Sequence, residues 1–330
     1  MFYDRGKAMS AQLPTSHTTQ GPEADTHQLV PSSDGINLHV ATWGDAKNTP
    51  IVFVHGYPDS HTVWLPVINL LKDKYYLIAY DVRGAGESDV PPKVSAYRLE
   101  QLARDLKAVV DAIIPDRQFH LVAHDWGSIQ SWQSVTTKPL EGRIASYTSL
   151  SGPSLDHAAH WMRRRLLNPK VDPKHNAYRQ LVSSWYIMMF QVPFLPELIW
   201  KNGLGKHWNK YLAMREGVKD AVVSPTQTDD GQYGVRLYRA NFIPALLKPK
   251  ELYAHCPVQL VVLKNDLYVN SFLFEDLTTW VKDLYRRELD SGHWKAIHEG
   301  TVVAQYIDEW VSAVEAGKLN TYADRKVTAA

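Results

Sequence analysis

The chain has 330 residues, 45% hydrophobic and 22% charged, which gives a globular protein enough length for a large core and an accessory module. A formal net charge of +1 supplies no electrostatic reason to expect nucleic acid or an acidic membrane surface as a partner. The single cysteine, Cys256, excludes an internal disulfide framework and a cysteine-based zinc site, and fits a cytoplasmic location.

Residues 1–26 mix Ser, Thr, Gln, Pro and Gly without the apolar run of a signal peptide, and read as a disordered leader. His27 to Val30 and Ile36 to Trp43 flank Ser33-Asp34-Gly35, so alternation around a turn predicts a β-hairpin. Pro50 to His55 is a continuous β-branched run, expected as a strand buried on both faces, and it ends in His55-Gly56-Tyr57-Pro58. A helix over Val63 to Leu71, a buried strand over Tyr76 to Tyr80 and a glycine-containing loop from Asp81 to Ser88 follow. Leu99, Leu102, Leu106, Val109 and Ile113 recur at helical spacing. That helix leads to the strand Phe119-His120-Leu121-Val122-Ala123-His124, and helix and strand alternate again through Leu150.

The alternation predicts an α/β fold with a mostly parallel, doubly wound sheet, because parallel strands require crossover helices. From Gly152 to about Pro249 it stops, and the segment turns aromatic and Met-rich, with an Arg163-Arg164-Arg165 run expected to be a solvated helix face. The sheet resumes at Val258 to Leu263. A helix near Phe272 to Val281, a strand near Tyr285 to Leu289 and a last helix from Ile297 to Val314 complete the pattern. The domain plan is thus core over 27–151, inserted helical cap over 152–250, core over 251–317 and a flexible tail over 318–330. No stretch approaches the roughly 20 apolar residues that span a bilayer.

Val122-Ala123-His124-Asp125-Trp126-Gly127-Ser128 organises the chemistry. Small residues two before and two after a central polar residue, between strand and helix, form the pattern of a nucleophile elbow, usually built on Ser and here on Asp125. An ionised carboxylate needs no prior deprotonation, so it can open a strained ring or displace a halide and form an ester. In an open α/β sheet, sites form beyond the C-terminal ends of strands. Asp125, His55 to Pro58, Asp266 and His293 all fall there, in the order nucleophile, acid, base. Glu275, Asp276 and Asp156 compete for the acid role, and His298 for the base. Gly292 is expected to give an exposed His293 mobility, with packing from Trp294.

These motifs together resemble the epoxide hydrolases of the α/β-hydrolase superfamily, over residues 27 to 316 or so. The resemblance implies Asp125 as nucleophile, His293 with Asp266 activating water, and Tyr186 and Tyr238 as cap phenols that hydrogen-bond the epoxide oxygen. It further implies backbone N–H groups of Tyr57 and Trp126 as an oxyanion hole, with His55, Pro58, Trp126, Trp185 and Phe190 lining the substrate site. The partners it implies are a small apolar epoxide and water, with no cofactor, metal, nucleic acid or membrane. Leu263 and Leu267 stand where the family commonly has Gly and Pro, and Tyr57 where Phe is common. Two alternatives remain: a haloalkane dehalogenase using the same Asp, for which Tyr57 offers no side-chain N–H to cradle halide, and a non-catalytic protein binding a small apolar ligand.

Overall fold

In a computed structural model, residues 21–219, 221 and 223–327 are described. Eight strands, β1 (Thr26–Pro31), β2 (Asn37–Trp43), β3 (Pro50–Val54), β4 (Tyr76–Tyr80), β5 (Phe119–His124), β6 (Ile144–Leu150), β7 (Val258–Leu263) and β8 (Leu284–Leu289), form one sheet in the order β1-β2-β4-β3-β5-β6-β7-β8. The hairpin β1/β2 and its junction with β4 are antiparallel, and every other pairing is parallel. Strands β3, β5 and β7 are buried at every position, as an unbroken β-branched run sandwiched between helices must be.

Helices α1 (Leu65–Leu71), α2 (Leu99–Ile113) and α3 (Trp126–Val135) belong to the first part of the core. The stretch between β6 and β7, referred to below as the cap, comprises α4 (Leu155–Leu167), α5 (Asn176–Ser183), α6 (Trp185–Gln191), α7 (Leu195–Ile199), α8 (Trp208–Glu216) and α9 (Gln227–Leu247). Two further helices, α10 (Lys295–Glu299) and α11 (Thr301–Glu315), complete the second part. One large apolar cluster joins α2, α3 and the sheet to cap residues such as Phe190, Trp200 and Val235. A second covers the other sheet face with α1 and α11. The cap is therefore seated on the same core that positions the strand ends.

Several boundaries differ from the sequence reading. Residues 1–20 of the expected leader lie outside the described residues, and its remaining part is tied to the sheet. Pro22 O accepts the Trp43 indole N–H (3.2 Å), and Asp25 N–H donates to Thr42 O (2.8 Å). The helix expected over Phe272 to Val281 is instead two short 3-10 turns, Ser271–Phe274 and Leu277–Thr279. Between them Glu275 and Asp276 are held by Arg165 of α4, and the β-branched pair Thr278-Thr279 does not favour continuing a helix. Arg165 is accordingly buried, so the arginine run is not uniformly a solvated face.

The last helix is broken at Gly300, whose φ of 67° ends α10 and starts α11. The expected flexible tail is folded through Val327. Tyr322 is buried against Trp310, and Val327 N–H donates to Leu284 O (2.9 Å), which extends the edge of β8. Residues 328–330 of that tail lie outside the described residues.

Candidate active site

Asp125 sits at the turn from β5 into α3 with φ 52° and ψ −125°, a conformation costly for any residue with a Cβ. The turn is tight enough that a Cβ on Gly127 would lie 2.2 Å from Val54 O, so the small residue after the elbow is a packing requirement. α3 starts at Trp126, because the elbow leads directly into the helix. The first N–H groups of any helix have no intrahelical acceptor, and that of Trp126 opens toward the nucleophile end of α3. Tyr57 N–H, in the loop after β3, donates to Asp125 Oδ1 at 2.7 Å.

His293 comes from the loop after β8 and Asp266 from the loop after β7. His293 Nδ1 donates to Asp266 Oδ2 at 2.8 Å, and its Nε2 faces Asp125 Oδ2 at 3.5 Å. Asp266 Oδ1 also accepts the N–H groups of Tyr268 (2.8 Å) and Val269 (2.9 Å). Burial disfavours charge on the imidazole, but the Asp266 and Asp125 carboxylates outweigh it and raise the His293 pKa well above its usual value. Burial likewise opposes the Asp266 carboxylate, yet His293 and the two backbone N–H groups bring its pKa below normal. The rival groups are committed elsewhere. Glu275 and Asp276 pair with Arg165, Asp156 accepts from Lys250 N–H, and His298 lies within α10.

His293 is buried, not exposed as expected. Rings of His124 (4.6 Å), Trp294 (4.6 Å) and Tyr268 (5.2 Å) enclose it. Gly292 serves close approach, since a Cβ there would lie 2.3 Å from Glu216 Oε2. That carboxylate, at the end of α8 in the cap, accepts Trp294 N–H (3.2 Å) and ties the cap to the histidine loop. His124 donates Nε2–H to His293 O (3.0 Å), and burial lowers its pKa to about 3, so it stays a neutral brace. Asp59, two residues beyond Tyr57, accepts the Trp294 indole N–H (3.0 Å), and burial pushes its pKa up to about 7. Sequence reasoning missed Glu216, His124 and Asp59. The last two adjoin recognised motifs and could have been flagged, whereas nothing local marks Glu216.

Above the carboxylate, Tyr186 of α6 and Tyr238 of α9 have ring centroids 6.2 Å apart. Tyr238 packs edge-on to Trp126 (4.8 Å) and Tyr57 (5.3 Å), and Phe190 lies 4.7 Å from Tyr238 and 5.7 Å from Tyr186. Burial, reinforced for Tyr238 by the neighbouring Tyr186 and for both by the Asp125 charge, raises both phenol pKa values and keeps them as O–H donors. Tyr57 has a different side-chain task. Its phenol donates to Gly231 O (2.9 Å) and accepts from the Trp200 indole (2.6 Å), fastening the loop after β3 to the cap.

Of the remaining expected lining residues, Pro58 and Trp126 share a pocket with Tyr57 and Leu237. His55 borders it too, but donates Nδ1–H to Gly56 O (2.8 Å) and accepts Val82 N–H at Nε2 (2.8 Å), so its ring braces two loops. Trp185 is not brought to the site: it is 66% exposed on the outer face of α6.

Among the described residues one group has the donor set of a metal site, buried His39, His61 and Asp81. Asp81 already accepts from four N–H groups: Nδ1 of His39 (2.9 Å), Nδ1 of His61 (2.8 Å), and the backbone N–H of His61 (2.8 Å) and Glu87 (3.0 Å). These bonds give the cluster a structural role, joining β2 and the end of β4 to the turn before α1.

Comparison with known proteins agrees with the fold. Residues 49–299 match the family described as alpha/beta hydrolase fold. Probable oxidoreductase EphD of Mycobacterium tuberculosis (strain ATCC 25618 / H37Rv) is 31% identical over 298 residues, covering 87% of this chain and 50% of that protein. The chain thus spans about half the length of this mycobacterial relative. Epoxide hydrolase 3 of Xenopus tropicalis is 24% identical over 79% of this chain and 70% of its own. Among solved structures, an epoxide hydrolase from Bacillus megaterium superimposes with a TM-score of 0.71 at 19% identity, over 86% of this chain and all of that one. Epoxide hydrolase VrEH1 from Vigna radiata gives 0.67 at 22%, over 87% and 97%. The chain belongs to the family described as alpha/beta hydrolase fold.

Proposed function

We propose that the protein hydrolyses an apolar epoxide to a vicinal diol through an ester on Asp125. The observation that carries this reading is a carboxylate at the elbow, 3.5 Å from an imidazole, beneath a pair of cap tyrosines, Tyr238 buried against Trp126 and Tyr186 half-buried beside it. Asp125 attacks an epoxide carbon, the C–O bond breaks, and Tyr186 and Tyr238 hydrogen-bond the departing oxygen, which would otherwise be a poor alkoxide leaving group.

Esterification removes the negative charge of Asp125, one of the two carboxylates that support the His293 proton. The imidazole pKa then falls, so His293 gives up its proton through solvent while the opened alkoxide takes one up, and the neutral ring that was paired with the nucleophile becomes a base. His293, oriented through Nδ1 by Asp266, takes a proton from water as the water oxygen attacks the Asp125 carboxyl carbon. The resulting oxyanion receives N–H groups of Tyr57 and Trp126. Collapse expels the diol oxygen, which regains a proton, and Asp125 keeps one oxygen from water. Losing an oxyanion donor typically raises such a barrier by about 2.7–4 kcal/mol.

A second reading has one observation in its favour: the Trp126 indole N–H is buried without a hydrogen-bond partner, as a halide site would require. A second indole in reach of the same loop, Trp200, is taken by the Tyr57 phenol, which leaves that site short of a donor. Incubation with an aryl epoxide and with a haloalkane separates the two. Diol formation, with oxygen from labelled water entering Asp125 over repeated turnover, supports the epoxide reading, and halide release without diol overturns it. An unlabelled Asp125 after turnover would exclude the ester.

A further inference from the structure

We propose that the outer face of the cap between Tyr178 and Ile199 docks the protein on an anionic phospholipid surface. Helices α5 and α6 carry Tyr178, Leu181, Val182, Trp185 and Met188 at spacings of one to three residues, Val192 follows directly after α6, and all six are exposed. The opposite side of the same helices holds Ala177, Gln180 and Phe190, which are buried, and Tyr186. An amphipathic helix normally buries its apolar stripe, so this pair is apolar on both sides. The stripe continues in α7, where Phe194 is 76% exposed and Leu198 53%. A contiguous apolar surface of this kind marks an interaction site.

Charge selects the occupant. Gly152 to Lys219 contains eleven Lys and Arg against four Asp and Glu, with no acidic residue from Pro173 to Pro196. The chain-wide balance of +1 hides this segregation, because the rest of the chain carries more acid than base. All four acids are engaged internally: Glu197 pairs with Arg239, Asp172 accepts the N–H groups of Asn176 and Ala177, Asp156 accepts Lys250 N–H and Glu216 accepts Trp294 N–H. Lys170, Lys174, Lys201, Lys206 and Lys210 are exposed and have no ion pair among the described residues. Exposed aromatic and aliphatic side chains in a segment with an excess of exposed lysines match the interface of an anionic bilayer, where the former enter the headgroup boundary and the latter meet phosphate. A second copy of the chain fits less well, because an isologous contact would set these lysines against one another.

Tyr186 follows Trp185 on α6, so docking through the outer face would hold the helix that carries a site phenol at the lipid surface. The docking itself does not depend on the reaction and is read without substrate. The full chain is sedimented with vesicles of phosphatidylcholine plus phosphatidylglycerol, and with phosphatidylcholine alone. The expected result is co-sedimentation with the anionic vesicles, weakened by salt and by omitting phosphatidylglycerol.

In Lys170→Gln/Lys174→Gln the partition coefficient should fall about fivefold for each lysine. In Leu181→Asp/Phe194→Asp it should fall at least about tenfold, with a native melting curve. Native protein that stays in the supernatant at low salt would overturn the proposal, as would a Leu181→Asp/Phe194→Asp variant that binds as well as native. So would sedimentation-velocity data showing a native dimer that this variant dissociates while vesicle binding is unchanged, since the face would then join two copies.

Discussion

Replacing His293 with Gln separates the two halves of the proposed reaction. The first half relies on Asp125, oriented by Tyr57 N–H at 2.7 Å, and on the phenols of Tyr186 and Tyr238, and needs no base from the imidazole. Alkylation should therefore persist within about tenfold of native. The second half needs a base. His293 Nε2, 3.5 Å from Asp125 Oδ2, is near enough to act on a water beside the carboxyl carbon. Glutamine has no comparable proton affinity, and loss of a positioned base typically slows such a step by about 10²–10⁴-fold, or roughly 3–5 kcal/mol in barrier. Asp266 keeps its two backbone donors in the variant, so the fold around it should hold. The assay is intact-protein mass after quenching a reaction with excess aryl epoxide, followed by peptide mapping. The expected result is one substrate mass added per chain, on the peptide containing Asp125. Turnover within about tenfold of native, or a modification that survives Asp125→Asn, would refute the reasoning.

Tyr186→Phe and Tyr238→Phe should each slow alkylation by about ten- to a hundredfold, the worth of a hydrogen bond to a charged oxygen at about 1.5–3 kcal/mol, while leaving ester hydrolysis unchanged in single-turnover kinetics. Equal slowing of both steps would argue for a packing role. Burial raises the Asp230 pKa to about 8, against about 3.9 unfolded, so the folded chain holds a proton that the unfolded chain releases in between. Its contribution to stability is full below about pH 4 and is lost as pH rises toward 8, by up to about 1.4 kcal/mol per pH unit. Asp230→Asn, which cannot ionise, should therefore gain stability relative to native as pH rises through this range, measured by denaturant midpoints; a pH-independent difference would refute the shift. In Gly127→Ala the new Cβ would lie 2.2 Å from Val54 O, a backbone atom that cannot rotate away. The expected loss is at least about 1–3 kcal/mol in urea unfolding, together with lost activity.

Much of this molecule is local and therefore legible in the chain. Strand runs with β-branched residues, the hairpin turn at Asp34-Gly35 and the small residues around Asp125 specify the sheet and its elbow, because side-chain period and backbone sterics act over a few residues. The assignments of Asp266 and His293 followed from strand ends and chain order, and their Nδ1–Oδ2 contact of 2.8 Å brings the two loops together despite the atypical Leu263 and Leu267. Tertiary structure decided what depends on distant segments meeting. Folding alone buries His293 among aromatic rings, sets Glu216 against Gly292 and gives the Tyr57 phenol to Trp200. It also turns Trp185 outward while its neighbour Tyr186 faces Tyr238, because one residue is about 100° of helix and only packing selects which side meets the core. The same long-range packing folds the tail through Tyr322 onto Trp310.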